Sequence, residues 1–293
     1  MDRPAPAPDA AAAPDADVAS AADALVRVLG GGRRVVALTG AGVSTASGIP
    51  DYRDETGAWK RRPPVVLADF LAHEATRRRY WARSLVGWPA FHAATPNAAH
   101  AALARLEAAG VVADVVTQNV DGLHQRAGSA RVVDLHGRLD TVVCLVCGAR
   151  ASRASVQARL EAAFPHLAAR EARRAPDGDA DLEGDALAAF APPECASCRG
   201  TLKPDVVFFG ESVPAARVAD AYARVAAADA LLVVGTSLKV FSGFRFVRAA
   251  AERGTPVAIL NRGVTRGDAL AAVKADGPCG PVLDALARRL APA

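Results

Sequence analysis

The sequence predicts an α/β fold, a doubly wound parallel sheet with a smaller helical module attached. Three observations predict it. Short continuous apolar strands alternate with helical patterns, as in a sheet covered on both faces. Glycine, amide and hydroxyl residues cluster where those strands end, the position at which such sheets bind ligands. Two C-x-x-C pairs, Cys144 with Cys147 and Cys195 with Cys198, lie in a stretch that breaks the alternation.

The chain of 293 residues is 51% apolar and 23% charged, enough for one large domain and a smaller unit. A fibrous or wholly disordered chain is excluded. No apolar run reaches about 18 residues, so no membrane-spanning helix is expected. Thirty-five basic against 31 acidic residues leave a net charge of +4, too slight to point to nucleic acid. Five cysteines are too few for a disulfide scaffold. Reduced thiols and an Ala- and Arg-rich composition fit a bacterial cytoplasm. A monomer is favoured, with no membrane partner.

Residues 1–21 are Ala, Pro and Asp with little to bury, and read as a disordered tail. A helix is expected around Leu25, Val26 and Leu29, closed by Gly30 to Gly32. Arg33 to Leu38 reads as a buried strand running into the turn Thr39-Gly40-Ala41-Gly42. Thr95 is expected to cap a helix with Pro96 in its first turn, and Gly110 to end it. Strands follow at Val111–Thr117, Arg131–Leu135 and Val206–Phe209. A helix stripe at Val218, Tyr222 and Val225 leads to a strand at Leu231–Val234, ending at Gly235-Thr236-Ser237. Phe244, Val247 and Ala251 mark the next helix, Pro256–Leu260 the next strand, and Leu283, Leu286 and Leu290 the last helix.

This assigns residues 22–60, 97–139 and 203–293 to a Rossmann-like domain. Residues 61–96 and 140–202 form the smaller module, with a polar insert over about 151–191. Each C-x-x-C knuckle can aim both sulfurs at one ion, and four thiolates make a closed tetrahedral zinc site. With no position left for water, the ion is structural. The competing reading is a pair of redox dithiols, since the interval between the pairs is long for a compact ribbon.

Gly40-Ala41-Gly42-Val43-Ser44 opens like a dinucleotide fingerprint but has Thr45 in place of the third glycine, so an ordinary glycine turn fits equally. Ser47-Gly48-Ile49-Pro50-Asp51-Tyr52-Arg53 suits a flexible cofactor cover, or else a surface loop with a local Asp–Arg pair. Gln118, Asn119 and Asp121 stand at a strand end, placed to bond ribose hydroxyls and a carboxamide, or to cap the next helix. His136 ends another strand, where a neutral imidazole can accept a proton near pH 7. A histidine satisfied structurally is the plainer alternative.

Taken together and in this order, these segments, His136-Gly137, the cysteine pairs, Gly235-Thr236-Ser237 and Asn261 resemble the sirtuin family over about residues 25–290. Arg79-Tyr80-Trp81-Ala82-Arg83, Gly87-Trp88-Pro89, Leu202 to Glu211 and Asn261-Arg262-Gly263 with Thr265 to Asp268 resemble its class II branch, which includes bacterial members.

The resemblance implies an NAD-dependent protein-lysine deacylase, with NAD as co-substrate and acylated-lysine proteins as partners. The acyl oxygen attacks the nicotinamide ribose, nicotinamide leaves, and an ADP-ribosyl imidate forms. His136 then acts as general base on a ribose hydroxyl, giving free lysine and O-acyl-ADP-ribose; Asn119 is the second catalytic residue. By the same resemblance Gly40, Ala41, Gly42 and Ser44 line the phosphates, and Asp51, Tyr52 and Arg53 close over the cofactor. Gln118 and Asn119 hold the ribose, and Ile49 with Asp121 the carboxamide. Gly235, Thr236 and Ser237 meet the phosphate and ribose, Asn261, Arg262 and Gly263 the adenosine ribose, and Cys279 flanks adenine or is an inert thiol. Val207, Phe208, Phe209, Gly210 and Glu211 resemble the family's substrate strand, whose edge takes an extended peptide. Tyr80 and Arg83, at i and i+3 on a helix, resemble the pair that binds acidic acyl groups; a basic helix face is the plainer reading. Two other functions remain open: ADP-ribosyl transfer to protein, and a non-catalytic NAD sensor.

Overall fold

The computed structural model describes residues 15–31, 33–60, 64–170 and 189–292. The expected tail over 1–14 and the insert over 171–188 lie outside them. Chain order begins with α1 (Asp15–Leu29), β1 (Val35–Thr39), α2 (Leu67–Ala72), α3 (Glu74–His92), α4 (Ala98–Ala108), β2 (Val112–Thr117), α5 (Leu123–Arg126) and β3 (Val132–Asp134). It continues with β4 (Gly137–Cys144), β5 (Arg150–Ser152), α6 (Arg153–Ala163), α7 (Pro165–Ala168) and β6 (Leu202–Val206). The last third holds α8 (Ala215–Ala226), β7 (Ala230–Val234), α9 (Phe241–Glu252), β8 (Val257–Leu260), β9 (Val273–Ala275) and α10 (Cys279–Leu290).

A six-stranded sheet runs β3-β2-β1-β7-β8-β9, and every neighbouring pair is parallel. Its strands read Val-Val-Ala-Leu and Leu-Leu-Val-Val because both faces are covered. Val35, Ala37, Val115, Leu232 and Ala258 pack under Leu25, Leu103 and Leu286 from α1, α4 and α10. The alternate residues Val36, Leu38, Val116, Leu231 and Ile259 pack under Val225, Phe246 and Val247 from α8 and α9. The strand order reverses between β1 and β7, which opens a crevice above those two carboxyl ends.

A second core joins Phe70, Tyr80, Trp81 and Leu85 to Leu139, Val142, Val156, Leu160, Leu202 and Phe208. It lies over a three-stranded antiparallel sheet, β5-β4-β6.

Three expectations are corrected. The helix expected near Leu25 begins at Asp15, so the ordered chain takes in residues 15–21 of the expected tail. The strand expected at 206–209 lies at 202–206 and pairs with β4, so residues 203–206 belong to the smaller sheet and not to the large parallel one. Thr95 does not cap α4: Asn97 does, accepting from the Ala99 amide at 2.8 Å while His100 Nδ1 accepts from the Asn97 amide. The front of the polar insert carries the end of β5 and all of α6, packed into the smaller module. Arg153 is 1% exposed, donates to the Ser84 carbonyl and hydroxyl at 3.2 and 3.1 Å, and lies over the Trp88 ring at 4.9 Å. Its burial draws the guanidinium down to about 10.

Candidate active site

One cleft of about 2050 Å³ runs across the sheet's carboxyl ends to the smaller module. Its floor is the crevice between β1 and β7. The Gly40 amide donates to the Val234 carbonyl at 3.1 Å, and the Gly42 amide to the Gly235 carbonyl at 2.8 Å. A Cβ on Gly42 would stand 2.9 Å from Gly235 Cα, and one on Gly235 only 2.5 Å from the Val43 amide nitrogen. The glycines are therefore needed for the two turns to touch.

Amide and hydroxyl groups knit the wall. Asn119 Nδ2 donates to the Gly40 carbonyl and to Ser44 Oγ, at 3.1 and 3.0 Å. Ser44 Oγ donates in turn to Asp121 Oδ2 at 2.7 Å, and Asp121 Oδ1 accepts from the Leu123 amide. Gln118 Nε2 bridges the Thr39 carbonyl and Thr236 Oγ1. The loop over the cleft is pinned by Trp59: Arg53 lies 3.9 Å above its ring, and Tyr52 and Phe209 meet its edges. The local Asp51–Arg53 pair is not formed. Asp51 pairs with Lys60 at 2.6 Å, and Arg53 donates to the Gly57 carbonyl.

His136 leaves β3 toward the cleft. Its Nδ1 lies 2.9 Å from the Gln118 carbonyl, which can only accept, so Nδ1 carries the proton. Its Nε2 lies 2.8 Å from Ser242 Oγ, which then donates to the free lone pair. Burial, with help from Arg217 and Arg245, pushes the ring down from about 6.5 to about 4. The ring is thus more firmly neutral than an unperturbed histidine. Gly137, at φ 82°, allows β6 to approach directly behind it; a Cβ there would lie 2.0 Å from the Asp205 carbonyl.

The segment 207–211 forms the far wall. The Val207 amide donates to the His136 carbonyl, and the Leu67 amide to the Phe209 carbonyl. Glu211 shapes this wall from within: it accepts from the Phe208 amide at 2.8 Å and pairs with buried Lys203 at 2.9 Å.

Every expected cofactor-binding residue except Gly263 lines the cleft, as do His136, Tyr80 and Val207 to Glu211. Gly263 instead donates to Asp276, and its α-carbon packs against Glu55. Arg83 is not brought to the cleft, whereas Tyr80, 4% exposed, packs its ring on Phe70 and Phe208. Burial raises the Cys279 thiol to about 11, so it is no nucleophile at neutral pH. Ser242, Trp59 and Lys60 were missed in the sequence. A serine at the second position of a helix carries no signal until the helix faces a histidine that follows a distant strand.

The four cysteine sulfurs lie within 4.8 Å of one another, with Cys144 to Cys198 at 3.6 Å and Cys147 to Cys195 at 3.8 Å. A tetrahedral zinc with bonds of about 2.3 Å requires sulfurs about 3.8 Å apart. Amides of Val146, Cys147 and Gly200 donate to Sγ atoms, as thiolates require. The donor set therefore fits structural zinc, and none of the cysteines forms a disulfide.

The Sir2 family model matches residues 40–242, the stretch that carries His136 and most of this site. The chain belongs to the Sir2 family. It is 56% identical over 260 residues to the NAD-dependent protein deacetylase of Bordetella bronchiseptica, covering 89% of this chain and 95% of that one. It is 52% identical over 274 residues to NAD-dependent protein deacetylase 1 of Streptomyces coelicolor, covering 94% and 90%. Among solved structures it resembles a Sir2 protein with deacetylated p53 peptide and 3'-O-acetyl-ADP-ribose, at TM-score 0.74 and 29% identity, covering 91% and 97%.

Proposed function

We propose that this protein is an NAD-dependent protein-lysine deacetylase that releases nicotinamide and O-acetyl-ADP-ribose. The observation that carries the reading is the state of His136. A neutral imidazole, its Nδ1–H tied to Gln118, has an unprotonated Nε2, capped by the Ser242 hydroxyl, in the cleft that Asn119 and Ser44 also line. The named activity of relatives above 50% identity supports it.

NAD supplies an ADP-ribosyl group whose bond to nicotinamide breaks as the acyl oxygen attacks. The chain binds, orients and moves a proton. The touching glycine turns offer main-chain donors to the phosphates. Asn119 and Gln118 orient the ribose, and the Trp59-pinned loop closes over the cofactor. His136 Nε2 takes the proton of a ribose hydroxyl, displacing the Ser242 hydroxyl from that lone pair; the freed oxygen adds to the imidate carbon, and one water then adds there as the protonated lysine amine leaves, giving the acetyl ester of ADP-ribose. An extended peptide adds by main-chain bonds at 207–211, which recognises the backbone more than side chains. The zinc-bound module holds that wall in place. Longer acyl groups and a cytoplasmic location belong to the same proposal.

Incubation with NAD and an acetyl-lysine peptide tests it. Nicotinamide and O-acetyl-ADP-ribose are expected in equal amounts. ADP-ribose carried on protein would instead mark a transferase.

A further inference from the structure

Phe241 opens α9 at the mouth of the cleft and is 43% exposed, and Val240 before it is 39% exposed. Three guanidiniums surround the Phe241 ring: Arg245 at 5.1 Å, Arg248 at 5.4 Å and Arg266 at 5.9 Å. Arg266 also lies 4.3 Å over Phe244. Lys239, two residues before Phe241, is exposed as well.

Acidic groups here do not balance these charges. Glu252 pairs with Arg248 at 3.4 Å. Asp268 is turned inward, accepting from the Thr265 amide and hydroxyl at 2.9 and 2.5 Å. Arg266 has no ion pair among the described residues. Arg245 lines the cleft, and its Nε is buried with no hydrogen-bond partner among the described residues. A buried N–H left unpaired is costly unless a ligand completes it. An exposed aromatic ring held among cations is a surface that gains by receiving carboxylates and apolar stems together.

The geometry points to a docking surface for an acidic segment of the protein substrate, flanking its acyl-lysine. This rests on the deacetylase reading. Main-chain pairing along 207–211 discriminates little between sequences. Phe241 and Arg245, which line the same cleft, supply charge selection together with Arg248 and Arg266 beside the Phe241 ring. Carboxylates two or more residues from the acyl-lysine meet the guanidiniums, and Arg245 Nε gains its acceptor.

The test uses acetyl-lysine peptides that differ only in three glutamates, three glutamines or three lysines, placed before or after the acetyl-lysine. Turnover with NAD and binding by fluorescence anisotropy are both measured. For one placement, kcat/KM of the glutamate peptide is expected about tenfold above the glutamine peptide at low salt, converging near ~0.5 M salt. Arg248→Glu with Arg266→Glu removes that preference and leaves the glutamine peptide's kcat/KM unchanged; Arg248→Gln with Arg266→Gln, milder to the fold, does the same in part. Equal handling of the peptides by the native protein, or a preference indifferent to both double variants, overturns the proposal. So does duplex DNA that displaces the probe as well as the glutamate peptide does. If no peptide releases nicotinamide, the deacetylase reading fails, while anisotropy still judges the surface by itself.

Discussion

Ser242 Oγ lies 2.8 Å from Nε2 of His136, donating into the lone pair that would take a ribose proton. The imidazole is held from behind by the Gln118 carbonyl, so its orientation does not depend on the serine. His136→Ala is therefore expected to lower kcat by about 10²- to 10⁴-fold while NAD still binds. Ser242→Ala should cost less than about tenfold, because the base keeps its tautomer and aim. Steady-state rates with binding by calorimetry check both, and near-normal turnover in His136→Ala would remove the histidine from the chemistry.

Buried histidines make the fold sensitive to acid. His100 and His124, ring centroids 4.8 Å apart, are 0% and 1% exposed. Burial lowers His100 to about 4 and His124 to about 3. Each binds fewer protons folded than unfolded below pH 6.5, so their stabilisation is complete above that value and is lost as pH falls toward 4. The slope from the pair is up to about 2.7 kcal/mol per pH unit. Thermal denaturation between pH 7.5 and 4.5 should show Tm falling steeply below about 6.5. A flat profile contradicts the burial of these rings.

Metal removal should act through shape. Cys144 and Cys195 are buried in the smaller core beside Leu202 and Phe208, whose chain forms the far wall of the cleft. Zinc analysis should find about one ion per chain. A strong chelator, or Cys195→Ser, should abolish turnover together with a fall in Tm, and restored zinc should recover the chelated protein. Full activity without metal would contradict a structural ion.

Arg83 is not among the residues that line the cleft, whereas Tyr80 is. Arg83→Ala is accordingly expected to leave the ratio of succinyl- to acetyl-lysine rates unchanged within about twofold. A selective loss of the succinyl rate would place its guanidinium at the acyl group after all.

The two glycine turns should tolerate little. Gly235→Ala puts a methyl group 2.5 Å from the Val43 amide at a φ of 60°. A loss of about 1–3 kcal/mol of stability is expected, with NAD binding weakened alongside. Unchanged NAD affinity would mean that the turns are not a phosphate cradle.

What the sequence made legible follows from the scale of each signal. Val35–Leu38 and Leu231–Val234 read as buried strands because both faces of the sheet are covered over their whole length. The cysteine pairs were legible because thiolate spacing is set by one ion. The Asn97 cap was masked by Thr95-Pro96, an equally good local signal that tertiary bonds to Val43 and Ser47 overrode. The strand expected at 206–209 differs from β6 in bounds and in sheet because its partner, β4, is distant in sequence and apolar runs carry no address. Ser242 and Arg153 acquire their roles only through residues about a hundred or seventy positions away.

The central claim is that His136 moves a ribose proton in an NAD-consuming deacetylation. Mass spectrometry of the products from NAD and an acetyl-lysine peptide in ¹⁸O-labelled water tests it most directly. The account predicts nicotinamide, free lysine peptide and O-acetyl-ADP-ribose in equal amounts, with one ¹⁸O in the acetyl-ADP-ribose, and O-acetyl-ADP-ribose formed about 10²- to 10⁴-fold more slowly by His136→Ala. Free acetate with unconsumed NAD, or an unchanged rate of O-acetyl-ADP-ribose formation by the His136 variant, would contradict it.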